Sequence, residues 1–277
     1  MTINTSFPYV YNSNAVVYLL VGLPTSATGA VNPAGSSPAN LVGGFSGFRD
    51  WGIQVYDWFQ QGPLELSYAA MVSNGAAIET PLDGDDNKDL TLRLQASHIF
   101  GGSGPNREDL SVFLWRQGGY RRFGTQNFDQ TRSGIGLKYL QGDYRLTTEY
   151  VVADGMIVGG PTPPFYGYPF AVGVNEKANG WYVEGGWRFR PSWELDLRYD
   201  YLDLMTQNAV NHREFATTTL GIQFFFDNKT RLTFNYEWRR MQVANPGAIP
   251  AGAARSNALA IAENLGDRIS LQLTWSF

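Results

Sequence analysis

The last nine residues, Ile269-Ser270-Leu271-Gln272-Leu273-Thr274-Trp275-Ser276-Phe277, alternate apolar and polar side chains strictly and close on phenylalanine. Alternation at period two belongs to a strand with one apolar and one polar face. The pattern recurs along the chain and predicts about twelve strands, near 14–22, 47–59, 63–74, 89–99, 108–117, 132–140, 143–152, 180–190, 193–204, 215–226, 229–240 and 266–277. Many approach the ~10 residues of a tilted membrane strand. No helical period of comparable length competes with them.

The connections alternate in length. Short ones fall at Gln60–Gly62, Gly101–Arg107, Gln141-Gly142, Pro191-Ser192 and Asp227-Asn228, and long ones near 23–46, 75–88, 118–131, 153–179, 205–214 and 241–265. Outer-membrane barrels have short periplasmic turns and long extracellular loops. An aromatic residue closing the C-terminal strand is the usual end of such a barrel. With Phe277 at the periplasmic rim, every short turn lies on that side, and loops 153–179 and 241–265 lie outside. Strands in lipid cannot leave an edge unpaired. The expected fold is all-β, a closed antiparallel transmembrane barrel forming one outer-membrane domain over 1–277.

The two faces can be read residue by residue. On 180–190, Trp181, Val183, Gly185, Trp187 and Phe189 face lipid, and Tyr182, Glu184, Gly186, Arg188 and Arg190 face the lumen. On 193–204, Leu195, Leu197, Tyr199 and Tyr201 face out, and Glu194, Asp196, Arg198 and Asp200 face in. On 229–240, Leu232, Phe234, Tyr236 and Trp238 face out, and Arg231, Thr233, Asn235, Glu237 and Arg239 face in. A three-residue turn at Pro191–Trp193 would set Arg190 opposite Glu194, Arg188 opposite Asp196 and Tyr199 opposite Gly185. Opposite charges across strands are favourable, and an aromatic ring can cover a bare glycine backbone. Charge of both signs on the inward face implies a wetted lumen.

Composition agrees. Aromatic residues make up 14% of the chain, which suits girdles at two membrane interfaces. Mean hydropathy is −0.25, and the longest apolar run, Ala15 to Leu23, is far short of a membrane helix. Cysteine is absent, which excludes disulfides and thiolate metal sites. A net charge of −4 argues against a nucleic-acid partner. No signal peptide follows Met1, so the numbering is expected to start on a mature chain or inside a longer one.

Little in the sequence points to catalysis. The histidines are His98 and His212, and neither has the neighbouring serine that a barrel phospholipase uses. Asn211-His212-Arg213-Glu214 supplies one histidine beside one acid, which suits a solvated loop. Asp83-Gly84-Asp85-Asp86-Asn87 fails the calcium-loop spacing, because Leu94 occupies its twelfth position. No metal site or cofactor is expected. The remaining constellation is the charged inward set: Arg93, Lys138, Arg145, Arg188, Arg190, Arg198, Arg231 and Arg239 with Glu184, Glu194, Asp196, Asp200 and Glu237. Guanidinium groups lining a pore attract anions, phosphate especially. Their alternative is to pair with the acids beside them.

Several stretches resemble the phosphate-selective porin O and P family. They are Gly47-Phe48-Arg49-Asp50-Trp51-Gly52-Ile53-Gln54-Val55, Leu66-Ser67-Tyr68-Ala69-Ala70-Met71-Val72-Ser73-Asn74-Gly75, and Asn87-Lys88-Asp89-Leu90-Thr91-Leu92-Arg93-Leu94. Gly180-Trp181-Tyr182-Val183-Glu184-Gly185-Gly186-Trp187, Glu194-Leu195-Asp196-Leu197-Arg198-Tyr199-Asp200 and Thr219-Leu220-Gly221-Ile222-Gln223-Phe224-Phe225-Phe226 continue the pattern. The resemblance implies a trimeric sixteen-stranded porin with an arginine ladder and a basic constriction. About twelve strands are visible, which would leave four N-terminal strands outside the numbered sequence, and no lysine-rich constriction loop is present. The expected function is passive diffusion of small hydrophilic solutes with mild anion preference, carried by Arg93, Arg188 and Arg198. The expected partners are membrane lipid, lipopolysaccharide and two further copies of the chain. A structural barrel anchoring an envelope assembly is the first alternative, and a rim hydrolase the second.

Overall fold

The computed structural model describes residues 52–74, 87–103, 107–123, 125–159, 171–227 and 229–275. These form β1 (Gly52–Gln61), β2 (Leu64–Ser73), β3 (Asp89–Gly101), β4 (Glu108–Phe123), β5 (Gln126–Gln141), β6 (Tyr144–Asp154), β7 (Ile157–Gly159), β8 (Ala171–Gly173), β9 (Lys177–Arg190), β10 (Trp193–Leu204), β11 (Arg213–Phe225), β12 (Thr230–Val243), helix α1 (Ala253–Glu263) and β13 (Arg268–Trp275). Eleven strands make one antiparallel meander in the order β1-β2-β3-β4-β5-β6-β9-β10-β11-β12-β13, and β7 pairs with β8 apart from it. Eleven of the twelve expected strands coincide with these, and the one expected at 14–22 lies outside the described residues. Among the described residues no helix is long and apolar enough to cross a membrane.

Local chemistry sets the hairpins. Gly62 and Gly142 adopt φ of 60° and 57° in the tight turns after β1 and β5, where a side chain would be strained. In the turn before β12, the Asp227 carboxylate accepts the N–H groups of Lys229 and Thr230, each at 2.7 Å. Such a local cap satisfies backbone donors that the ladder cannot reach.

Both expected faces are present. Outward side chains stay open, as at Leu197 (57% exposed) and Leu271 (67%), whereas the inward neighbours of Leu197, Asp196 and Arg198, are fully buried. So large a continuous apolar surface does not survive in water; it matches a hydrocarbon solvent. Aromatic side chains gather at two levels of this face. Near the short turns Trp193 packs on Phe224 with centroids 4.8 Å apart, and Trp187 on Phe189 at 5.8 Å. Further along the strands Trp181 packs on Tyr199 at 5.3 Å and Tyr236 on Trp238 at 4.7 Å.

Three expectations need correction. The stretch 118–131 is not a long loop: β4 and β5 stay paired from Gly118↔Thr131 to Phe123↔Gln126. The Gly118-Gly119 pair reads as a strand breaker, but a Cβ at Gly119 would collide with the Asp89 carboxylate, so the glycine makes room for a neighbour inside the sheet. The β9–β10 turn is Pro191 and Ser192 alone, with Trp193 opposite Arg190 and an irregularity before Leu195. The register therefore slides by two, setting Asp196 opposite Gly186, Leu197 opposite Gly185 and Arg198 opposite Glu184. A slide of two keeps every face but changes every partner.

The third correction is helix α1 inside the 241–265 connection. Ala258, Ile261, Ala262 and Leu265 recur at helical spacing in an alanine-rich run. Ile261, Ala262 and Leu265 pack against a cluster that includes Phe215 and Met241, both on the inward face. The connection thus folds back over the inward side of the sheet. Within the described residues β1 pairs only with β2 and β13 only with β12, so the eleven strands form one continuous antiparallel sheet.

Candidate functional site

The inward face of β6 and β9–β12 carries a network centred on Arg145. Its Nε donates to Glu194 Oε1 at 2.6 Å, Nη1 to Glu184 and Nη2 to Asp196. Arg145 stands on β6, and the two further acids stand on β10, with β9 between them. The guanidinium crosses β9 at Gly186, where a Cβ would lie 2.5 Å from Arg145 Nε and 2.8 Å from Asp196 Oδ1. Glycine at 186 is therefore the opening through which the cation reaches three carboxylates.

The network extends along the sheet. Gln223 on β11 donates to Asp196 Oδ2 at 2.6 Å. Arg198 bonds Glu184 Oε2 at 3.3 Å and Asp200 Oδ2 at 3.4 Å, with its guanidinium 4.1 Å above the Tyr182 ring. Arg188 reaches Glu194 Oε2 at 3.3 Å and stacks on Phe225 at 4.4 Å. On the far side Arg268 pairs with Glu237 at 2.8 Å. Glu184, Asp196, Arg198, Asp200 and Glu237 are at most 1% exposed. Charges so withdrawn persist only when paired and hydrogen-bonded. Five carboxylates in this network meet four guanidinium groups, so the network itself holds no cationic surplus. The expectation of a freely wetted charged surface does not describe it, because acids and bases on adjacent strands satisfy one another sideways.

The other expected residues sit apart. Arg93 and Lys138 flank the Phe113 ring, at 4.3 Å and 5.7 Å from its centroid. Neither forms an ion pair among the described residues. Arg93 donates to Gln95 at 2.8 Å. The nearby Glu149 accepts from Trp115 Nε1 at 2.7 Å and from the Tyr182 hydroxyl at 3.1 Å. Arg239 donates to the carbonyls of Leu265 and Gly266 at 3.0 and 3.1 Å, tying the chain after α1 to the inward face of β12. Arg231 is half-buried on β12, and Arg190 is exposed beside the β9–β10 turn.

Sequence reasoning missed a second buried group near the longer connections. Arg121 binds Asp89 through two nitrogens, at 2.7 and 2.6 Å, and Gln117 donates to the same carboxylate at 2.9 Å. Arg132 donates to the carbonyls of Thr131, Asp154, Gly155 and Met156, fixing the chain where β6 leaves the sheet. Arg132 and Asp89 have the inward parity that would have marked them; Arg121 was hidden by reading 118–131 as a loop. The acidic residues Asp83, Asp85 and Asp86 lie outside the described residues.

An antiparallel meander with an apolar outward face and a charged, internally paired inward face defines a porin-type sheet. Residues 173–251 match the model of a family described as Phosphate-selective porin O and P. The expected resemblance to that family is thus shown over the stretch holding β9–β12. Among solved structures, Salmonella typhi OmpF in complex with daunomycin superposes with a TM-score of 0.51 at 11% identity, covering 81% of this chain and 61% of that one. An anion-selective porin from Comamonas acidovorans gives 0.47 at 14% identity, covering 80% of this chain and 55% of that one. At 11% identity the likeness to OmpF speaks for the fold alone. This chain spans less than two thirds of the length of either porin. No curated protein sequence matches it.

Proposed function

We propose that the chain is the greater part of an outer-membrane porin that passes small hydrophilic solutes by diffusion, without a chemical step. The observation that carries this reading is the division of one continuous antiparallel sheet into an apolar outward face and a charged inward face. In lipid the free edges of β1 and β13 must be paired, so the closed barrel takes in strands beyond the eleven described. The resemblance to the family supports sixteen strands, a homotrimer, short turns on the periplasmic side and a site in the bacterial outer membrane surrounded by lipopolysaccharide.

Selectivity is mildly anionic and rests on Arg93 and Lys138, two inward cations that form no ion pair among the described residues, aided by the partly exposed Arg188. Arg145 and Arg198 are consumed by Glu184, Glu194, Asp196 and Asp200 and serve assembly instead. The segment around α1 narrows the passage from the side of the long connections. The test is a planar-bilayer recording with a salt gradient. Arg93→Gln with Lys138→Gln is expected to move the reversal potential toward cations, and the shift is expected to shrink at 1 M salt, where the Debye length is ~3 Å. Replacing residues 250–264 by a short glycine-serine linker is expected to raise the conductance step.

A structural barrel is the second reading, favoured by the full burial of Arg198, Asp200 and Glu237. A folded protein that gives no conductance steps, with or without α1, would establish that reading over the porin.

A further inference from the structure

The outward face carries one group of ligand-type side chains that the pore does not use. Asp203 near the end of β10 and Glu214 at the start of β11 face each other in register, on the parity of Leu197 and Leu220. His212, from the connection between the two strands, brings Nε2 to 2.6 Å from Asp203 Oδ1. The three residues offer ligand atoms within 4.8 Å of one another and are half-buried.

The turn holds this histidine in place. The N–H groups of His212 and Asn211 donate to the Asn208 carbonyl at 2.8 and 3.1 Å. The Arg213 guanidinium, on the opposite face, holds the carbonyls of Val210 and His212 at 2.9 Å each. Behind the ring the Asn245 side-chain amide lies 3.3 Å from Nδ1, so Nε2 is the nitrogen turned toward the carboxylates. Glu214 has no ion pair or side-chain hydrogen bond among the described residues, and no lysine or arginine pairs with Asp203. Two carboxylates packed this closely have one imidazole beside them and no lysine or arginine partner among the described residues.

We propose that Asp203, His212 and Glu214 bind one divalent transition-metal cation, with Zn²⁺ as the representative ion. One imidazole nitrogen with two carboxylate oxygens is a borderline set; calcium and magnesium take all-oxygen shells. Zinc–ligand distances of about 2.0–2.2 Å set ligand atoms roughly 3.3 Å apart in a tetrahedron, which the present histidine–aspartate contact reaches by a small side-chain rotation. Water fills the remaining position. The bound ion staples β10, the 205–212 connection and β11 at the rim of the sheet, and Asn245 orients the ring from β12's end by turning its amide so that Oδ1 accepts Nδ1–H and Nε2 is left bare for the metal.

Background binding is low, because the chain has no cysteine and two histidines, and His98 lies opposite Leu64 beside the β1–β2 turn. Zn²⁺ is titrated calorimetrically into the folded full-length chain in detergent, and folding is checked by gel mobility with and without heating. One saturable Zn²⁺ per chain is expected, unaffected by an equal concentration of Ca²⁺. His212→Ala is expected to abolish it and the isosteric Glu214→Gln to weaken it. Asn245→Ala, which keeps all three ligands, is expected to weaken it by about 10- to 100-fold, as for other groups that orient a metal ligand. The absence of saturable binding in the wild type, its displacement by equal Ca²⁺, or its persistence in folded His212→Ala would each overturn the assignment. If His212→Ala does not fold, unchanged affinity in folded Glu214→Gln overturns it.

Discussion

Gly185 and Gly186 are adjacent, both glycine, and both in the middle of β9, yet the structure predicts opposite responses to alanine. A Cβ at Gly185 meets only the Arg145 carbonyl oxygen at 3.9 Å, an ordinary contact. Alanine in a strand gains about 0.5–1 kcal/mol over glycine through lost unfolded-state entropy, so Gly185→Ala is expected to be neutral or slightly stabilising. A Cβ at Gly186 would stand 2.5 Å from Arg145 Nε and 2.8 Å from its Cζ. The guanidinium must retreat and give up at least one bond to Glu184, Glu194 or Asp196. A hydrogen bond to a charged group is worth about 1.5–3 kcal/mol, which, set against the alanine gain, leaves Gly186→Ala about 1–2 kcal/mol less stable. Arg145→Ala removes a shared cation from three buried carboxylates, leaving Glu184 to Arg198, Glu194 to Arg188 and Asp196 without its ion pair, and is expected to cost about 3–5 kcal/mol. In that background the close contact that remains is with Asp196 Oδ1 at 2.8 Å, the free end of a side chain, and the cost of Gly186→Ala falls. Urea unfolding of the barrel in detergent, followed by tryptophan fluorescence and gel mobility, measures all four proteins of the cycle. The reasoning is refuted if Gly186→Ala matches wild type, or if its cost is undiminished when Arg145 is already alanine.

The outward face gives a second expectation: Leu197→Arg places a cation in lipid and should lower barrel stability by about 2–4 kcal/mol if Leu197 lies near the midplane, read in the same unfolding assay, whereas a small effect would show that this face is wet. For topology, cysteine introduced at Ala251 should react with an impermeant thiol reagent on intact cells and cysteine at Asp143 should not; reversed labelling would invert the barrel. In the β11–β12 turn, the N–H groups of Lys229 and Thr230 hold the Asp227 carboxylate below its ordinary range. A depressed group contributes stability above the unfolded value, about pH 3.9, and loses it as pH falls through the folded value. The advantage of wild type over Asp227→Ala in unfolding midpoint should thus be constant at neutral pH and vanish in strong acid; an advantage that grows on acidification would contradict the capping.

The sequence by itself determined strand positions and faces. Period two is enforced at each residue by the pleat, so Trp181, Leu197 and Phe234 could be assigned outward, and Glu184, Asp196 and Asn235 inward, with no knowledge of neighbours. Tertiary structure decided the partners. The turn at Pro191-Ser192 and the irregularity before Leu195 slide β10 by two residues, and no propensity along one strand encodes that. Arg145 finds Asp196 across an intervening strand because Gly186 leaves a gap, a relation visible only once β6, β9 and β10 lie side by side. Glycine follows the same rule: in the sheet Gly119 makes room for Asp89, the partner of Arg121, a role that no single strand displays. The helical spacing of Ala258, Ile261, Ala262 and Leu265 was present in the chain, but its inward direction depends on the apolar patch around Phe215 and Met241, assembled from distant strands. The gathering of Asp203, His212 and Glu214 likewise follows from two strands meeting in register, since hairpin pairing fixes which side chains face each other and sequence alone fixes only which side of the sheet they leave.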